Sequence, residues 1–143
     1  MPRELNVVAP APLSLDECVA RLDEEGFDPR DERSLANAAE LLAGLAANRT
    51  FLGDILIGEL GGASARQEAT AYGPQAIMLR PPARGYFLRA NIWPARGDPA
   101  CQSSGASSFV YGLPHDHNFD FLTVGYFGPG YVSDYYEYDY ESV

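Results

Sequence analysis

The sequence predicts an α+β fold in which helices come first and an antiparallel β part, closing as a barrel or sandwich, follows. Three observations predict it. Apolar residues recur at helical spacing up to about Leu60, and from about Gln75 the pattern changes to short aromatic and β-branched runs cut by Pro and Gly. The composition, 46% hydrophobic and 21% charged over 143 residues, is that of a chain able to bury a core as one domain. That single domain, residues 1–143, divides into a helical part over 1–60 and a β part over 75–143.

The first dozen residues, with Pro2, Pro10 and Pro12, read as an extended arm. Ser14 then opens Ser-Leu-Asp-Glu, a capping box in which Ser14 and Glu17 satisfy each other's end of the first turn. Leu15, Cys18, Val19 and Leu22 continue at helical spacing until Gly26. Ser34 precedes a second helix whose apolar face is Leu35, Ala38, Ala39, Leu41, Leu42 and Leu45, ending near Asn48. Thr50 is placed to cap a third, through Phe51, Ile55, Leu56 and Leu60, which Gly61-Gly62 stops.

The β part reads as five runs: Gln75 to Arg80, Tyr86 to Trp93, Ser107 to Tyr111, Phe119 to Phe127 and Tyr131 to Tyr140. Gly97 to Ala106 is small and polar and reads as a loop. Phe127-Gly128-Pro129-Gly130-Tyr131 is a hairpin turn signal between the last two runs.

All ten basic residues are arginine and twenty acids bring the net charge to −10, which disfavours nucleic acid and anionic membrane as partners. No apolar stretch approaches a membrane span and no signal-peptide pattern opens the chain. Cys18 and Cys101 lack metal or redox spacing and read as buried free thiols, which fits a cytoplasmic protein. No Walker loop, GxGxxG fingerprint or GxSxG elbow is present.

The chemistry concentrates at His115-Asp116-His117. Residues two apart on an extended chain face the same side, so both imidazoles can reach one ion, and Pro114 favours that extended entry. Imidazole serves Fe, Zn, Cu, Ni and Mn, and further ligands would have to discriminate among them. A two-residue turn at Gly128–Gly130 sets His115, His117, Phe119 and Phe121 on the side of Tyr136, Tyr138 and Tyr140. Asp116, Asn118 and Asp120 fall on the other side with Glu137, Asp139 and Glu141, and so many acids must face water. The histidines are thereby expected to point inward. The competing reading is two hydrogen-bonded core histidines.

The segment Tyr111-Gly112-Leu113-Pro114-His115-Asp116-His117, followed by a Phe/Leu/Val run and a Gly-Pro-Gly turn, resembles the first conserved motif of the cupin superfamily. The resemblance spans about Gln75 to Tyr140 and implies a small β-barrel with His115 and His117 as metal ligands. Where that motif carries its glutamate this chain has Phe121 or Leu122, and no histidine follows His117 to form the second motif. A longer barrel, a second subunit or a degenerate site would each account for this.

What the resemblance implies is a mononuclear metal-dependent enzyme, a dioxygenase-like non-haem iron oxygenase acting on a small-molecule or amino-acid-like substrate. Its divalent metal would be Fe(II), with Zn, Mn or Ni as other candidates. Tyr136, Tyr138 and Tyr140 are then candidate catalytic residues, orienting oxygen or substrate through their hydroxyls. Arg80, Arg84 or Arg89 could hold a substrate carboxylate. The alternative is a non-catalytic binding or interaction protein with a degenerate or incomplete barrel. A metal-free or metal-supported isomerase lacks an acid–base pair in view. A homo-oligomer or another completing chain is the expected partner.

Overall fold

The computed structural model describes residues 3–8, 11–61, 76–137 and 139. Helix α1 spans Leu15–Glu25 and begins with the expected capping box. Ser14 N–H donates to Glu17 Oε2 at 2.8 Å while Glu17 N–H donates to Ser14 Oγ at 3.2 Å. It ends at Gly26, whose φ of 72° lies in the region glycine adopts without strain.

Helix α2 spans Glu32–Ala47 and starts earlier than Ser34 suggested. Asp31 is the cap, accepting from Arg33 N–H, and Ser34 lies inside the helix with its Oγ accepting from Asp28 N–H at 2.9 Å. Helix α3, Phe51–Gly61, follows with the Thr50 carbonyl accepting its first backbone bond from Asp54 at 2.9 Å. Cys18 and Leu22 of α1 meet Ala38, Leu41 and Leu45 of α2 to form the buried core. None of the described helices is long and apolar enough to cross a membrane.

Strands β1 (Ala76–Ala83) and β2 (Tyr86–Asn91) pair antiparallel across a tight turn. Arg84 and Gly85 both have positive φ there, 53° and 83°, the requirement of hairpin turns that follow the strand twist. Their register breaks between Met78 and Arg80 and again between Arg80 and Ala83, where Pro81 and Pro82 carry no N–H for the ladder. Tyr86 and Leu88 pack against the helical core, so alternation sends Phe87 and Arg89 to the opposite face of β2.

The α+β order therefore holds, with helices before a small antiparallel sheet. Among the described residues that sheet has two strands and is not closed. The remaining β expectations need correction. Residues 97–106 are not a bare loop but contain helix α4, Pro99–Ser104, with Pro at its start and Gly105 after its end. Ser107 to Tyr111 is not a strand: Ala106–Phe109 is a 3-10 turn, held by Ser108 N–H to the Gly105 carbonyl at 3.1 Å and Ser108 Oγ to the Ser104 carbonyl at 2.6 Å.

Phe119 to Phe127 and the described part of Tyr131 to Tyr140 are irregular rather than paired strands, although Gly128 and Gly130 do turn the chain at φ 80° and 82°. The cause is a competition for aromatic partners. Phe119 packs on Phe87, Tyr126 on Phe51 and Tyr131 on Trp93, at ring separations of 5.9, 5.1 and 4.9 Å. These three rings, which could have made cross-strand pairs, are engaged by earlier elements instead. The segment lies across the helices and sheet as an irregular strap, with Leu122 against the core.

Candidate functional site

The strap begins with a tight turn that aims the histidines. Val110 and Gly112 take positive φ, 59° and 71°, and Leu113 N–H closes the turn on the Val110 carbonyl at 3.3 Å. Pro114 follows, the chain bends at Asn118 and Phe119, and the rings of His115, His117, Phe119 and Phe121 gather together. The His115 and His117 rings lie 5.0 Å apart, nearly perpendicular, and His117 meets Phe119 and Phe121 at 5.3 and 5.2 Å.

Two features bear on metal binding. Imidazoles sharing one ion at bond lengths of about 2.1 Å and angles near 90–110° have ring centres roughly 5 Å apart. The observed spacing meets that requirement. His115 Nδ1 lies 2.9 Å from the Leu113 carbonyl oxygen, which can only accept, so this contact favours the tautomer with the proton on Nδ1 and the lone pair on Nε2, the nitrogen then open to a metal. The ring of His117 is held toward its neutral form: shielding by its aromatic neighbours is the largest cause, followed by the charges of His115 and Arg89, against Asp116.

The histidines do not point inward, which corrects the sequence expectation. His115 and His117 are exposed, like Asp116, Asn118 and Asp120; Phe119 is half-buried and Phe121 is 54% exposed. The face was expected to be covered by a returning strand, and no described strand pairs there. Among the described residues no third His, Cys, Asp or Glu joins the pair in a cluster able to hold a metal. The ring spacing meets one requirement of two imidazoles on a shared ion, and it is also that of an edge-to-face ring contact.

Tyr136 is 78% exposed, and Tyr138 and Tyr140 lie outside the described residues. The three candidate arginines separate. Arg80 Nη2 donates to both carboxylate oxygens of Asp23 at 2.8 and 3.0 Å, and Arg84 Nη1 donates to the Asp23 backbone carbonyl at 3.1 Å. Both serve the junction between α1 and the sheet. Arg89 instead shares the β2 face with Phe87, its guanidinium 5.9 Å from that ring, and Phe87 meets Phe119 edge-to-face beside His117.

The Asp23–Arg80–Tyr86 junction was not singled out from the sequence, since its members are up to 63 residues apart. Arg80 and Tyr86 flanking a hairpin turn were the available signal. A surface depression of about 500 Å³ adjoins it, lined by Leu22, Asp23, Gly26, Phe27, Asp28 and Arg84 and containing neither histidine. No family model, curated protein or solved structure matches this chain.

Proposed function

We propose that His115 and His117 are two ligands of one divalent metal in a mononuclear metal-dependent enzyme, with Fe(II) oxygenase chemistry on a small substrate as the use such a site supports best. The ring spacing, with the Leu113 carbonyl favouring the His115 proton on Nδ1, carries this reading. Two imidazoles joined by a carboxylate, with positions left open, is the ligand set of non-haem Fe(II) oxygenases. In this reading the third ligand comes from beyond the described residues or from a neighbouring copy, within a barrel that this chain contributes to. A bound ion supplies Lewis-acid or redox chemistry at its open positions. The chain's own part is to hold the two imidazoles with ring centres 5.0 Å apart, with Phe119 and Phe121 against one side of His117.

Elemental analysis of untagged protein, followed by titration with Fe(II) under anaerobic conditions and with Zn(II), tests it. Saturable uptake that His115→Ala and His117→Ala each abolish, with unchanged circular dichroism, is the expected result. Uptake that persists in both variants overturns it.

A second reading, a non-catalytic interaction protein, draws on the exposed apolar side chains of the strap. Phe127 is 88% and Val132 91% exposed, beside Tyr135 and Tyr136. Absence of saturable metal uptake in the wild type would favour it.

A further inference from the structure

We infer that Tyr135 and Tyr136 form a modification site, two phenol oxygens displayed to receive a phosphoryl group from a nucleoside triphosphate in the groove of a tyrosine kinase. The inference stands apart from the metal-site reading, since it uses neither histidine.

The fold sorts its tyrosines. Tyr86 donates its hydroxyl to Asp23 Oδ1 at 2.8 Å, and Tyr111 donates to the Pro94 carbonyl at 2.7 Å. Tyr126 meets Phe51 edge-on at 5.1 Å with the Arg49 guanidinium 5.2 Å over its ring, and Tyr131 packs on Trp93 at 4.9 Å. These four tie the hairpin and the strap to the rest of the chain. Tyr135 and Tyr136 make no such contact among the described residues, and they are 68% and 78% exposed.

The backbone around them is equally uncommitted. Residues 131–137 have no regular structure, all are exposed, and among the described residues none makes a backbone hydrogen bond. Phosphoryl transfer is catalysed by positioning, so a kinase must bring the acceptor oxygen in line with the terminal phosphorus. A tyrosine in a helix or a paired strand reaches that position only after local unfolding, whereas this segment has no such structure to lose.

The flanking charge selects the kind of enzyme. Asp134 and Glu137 bracket the pair and Asp139 follows, all exposed, and from Gly97 onward the chain has seven acids and no Lys or Arg. Such a segment is drawn to a basic groove and repelled by an acidic one. The product phosphate carries a charge of about −1.5 to −2 at pH 7 and finds no cation within the segment to fold back on, so it adds to the outward run of acids. Cys18 and Cys101 are both free thiols, which suits reducing surroundings, where nucleoside triphosphates supply phosphoryl groups.

In the transfer the phenol oxygen bonds to the γ-phosphorus as the bond from that phosphorus to the β,γ-bridging oxygen breaks. The nucleoside diphosphate leaves with that electron pair, and the phenolic proton passes to a carboxylate base of the kinase. Nothing is oxidised or reduced.

Two measurements test the site. The full chain is recovered, with vanadate present, from the cells that make it, and its tyrosine peptides are mapped by mass spectrometry. Phosphate is expected on Tyr135 or Tyr136, removable by a tyrosine phosphatase, and none on Tyr86 or Tyr111. In parallel, the purified folded chain is incubated with Mg²⁺, ATP and a tyrosine kinase domain that prefers acids beside its target. The double variant Tyr135→Phe, Tyr136→Phe should lower phosphate incorporation roughly tenfold. Its urea midpoint should not move, because neither hydroxyl has a partner among the described residues. Asp134→Asn with Glu137→Gln should lower incorporation severalfold, and Tyr131→Phe should leave it unchanged. Incorporation that the double variant retains, phosphate confined to other tyrosines, an adduct that the phosphatase leaves in place, as it would a sulfate ester, or a chain from its own cells with no modified tyrosine each overturns the assignment.

Discussion

Tyr86 donates its hydroxyl to Asp23 Oδ1 over 2.8 Å while Arg80 grips both oxygens of the same carboxylate. One side chain in the last turns of α1 thus holds both strands of the hairpin, and the Arg80 side chain is only 11% exposed. Replacing Asp23 leaves a phenol and a nearly buried guanidinium without their shared acceptor, whereas replacing Tyr86 removes one donor and leaves the ion pair. Asp23→Ala should therefore lower the urea midpoint more than Tyr86→Phe. Equal shifts would show that the Arg80 ion pair adds nothing to the hydroxyl contact.

The same junction, together with Cys18 in the helical core, makes stability depend on pH at both extremes. Burial, then the hydrogen bond to Asp23, pushes the Tyr86 phenol from its ordinary 10 up to about 12, and burial pushes the Cys18 thiol from 9 up to about 11. Below pH 9 both groups are protonated in the folded and unfolded chain, and their contribution is complete. As pH rises the unfolded chain ionises first, so stability falls through the window up to about 12. Asp23 behaves oppositely: the Tyr86 hydrogen bond first, then Arg80, hold its carboxyl below the ordinary 3.8, so its contribution is present above that value and lost as pH falls beneath it. Urea midpoints measured from pH 8 upward should decline in the wild type, less steeply above pH 10 in Tyr86→Phe. A wild-type profile that stays flat to pH 12 would contradict this.

How far the sequence was legible depended on how local the deciding interactions are. The capping box at Ser14 and Glu17, and the stop at Gly26, operate within a few residues and were read correctly. The Arg84–Gly85 turn lies between two runs that were also read as β. The rings of His115, His117 and Phe119 do group together as alternation suggested, although the segment is not a strand and bends at Asn118 and Phe119. What failed was pairing. Whether Tyr126 stacks on a returning strand or on Phe51, with Arg49 5.2 Å over its ring, is decided by residues some 75 positions away, which alternation and turn propensity do not encode. The exposure of the histidines follows from that one failure.

Phe87 is expected to govern how firmly the histidine segment is held. Its ring contacts Phe119 at 5.9 Å, and Phe119 in turn contacts His117. Phe87→Ala removes the contact without touching either imidazole. Faster amide exchange over residues 117–121 and a several-fold weaker Zn(II) affinity should follow, with the α1–α2 core unaffected. If exchange accelerates but Zn(II) affinity is unchanged, the aromatic line does not position the pair.

Two glycines in helices should respond to alanine with opposite signs. Alanine is favoured over glycine inside a helix by about 0.5–1 kcal/mol, because the unfolded chain loses less entropy on folding. Gly53 in α3 is exposed, and a Cβ there would meet nothing within 4 Å. Gly53→Ala should therefore stabilise by about 0.5–1 kcal/mol. At Gly44 in α2 a Cβ would stand 2.8 Å from Leu13 Cδ1 and 3.1 Å from the Ala11 carbonyl oxygen. A leucine tip can rotate away, but the carbonyl belongs to a segment pinned by the 3.0 Å bond from Leu13 N–H to the Gly44 carbonyl. Such overpacking costs about 1–3 kcal/mol, which outweighs the helical gain, so Gly44→Ala should destabilise by roughly 1 kcal/mol net. Urea denaturation of the two single variants and the double variant decides the matter. The sites share no contact, so their effects should add. A stabilised Gly44→Ala would mean that the arm over Ala11 to Leu13 does not rest on α2 in solution.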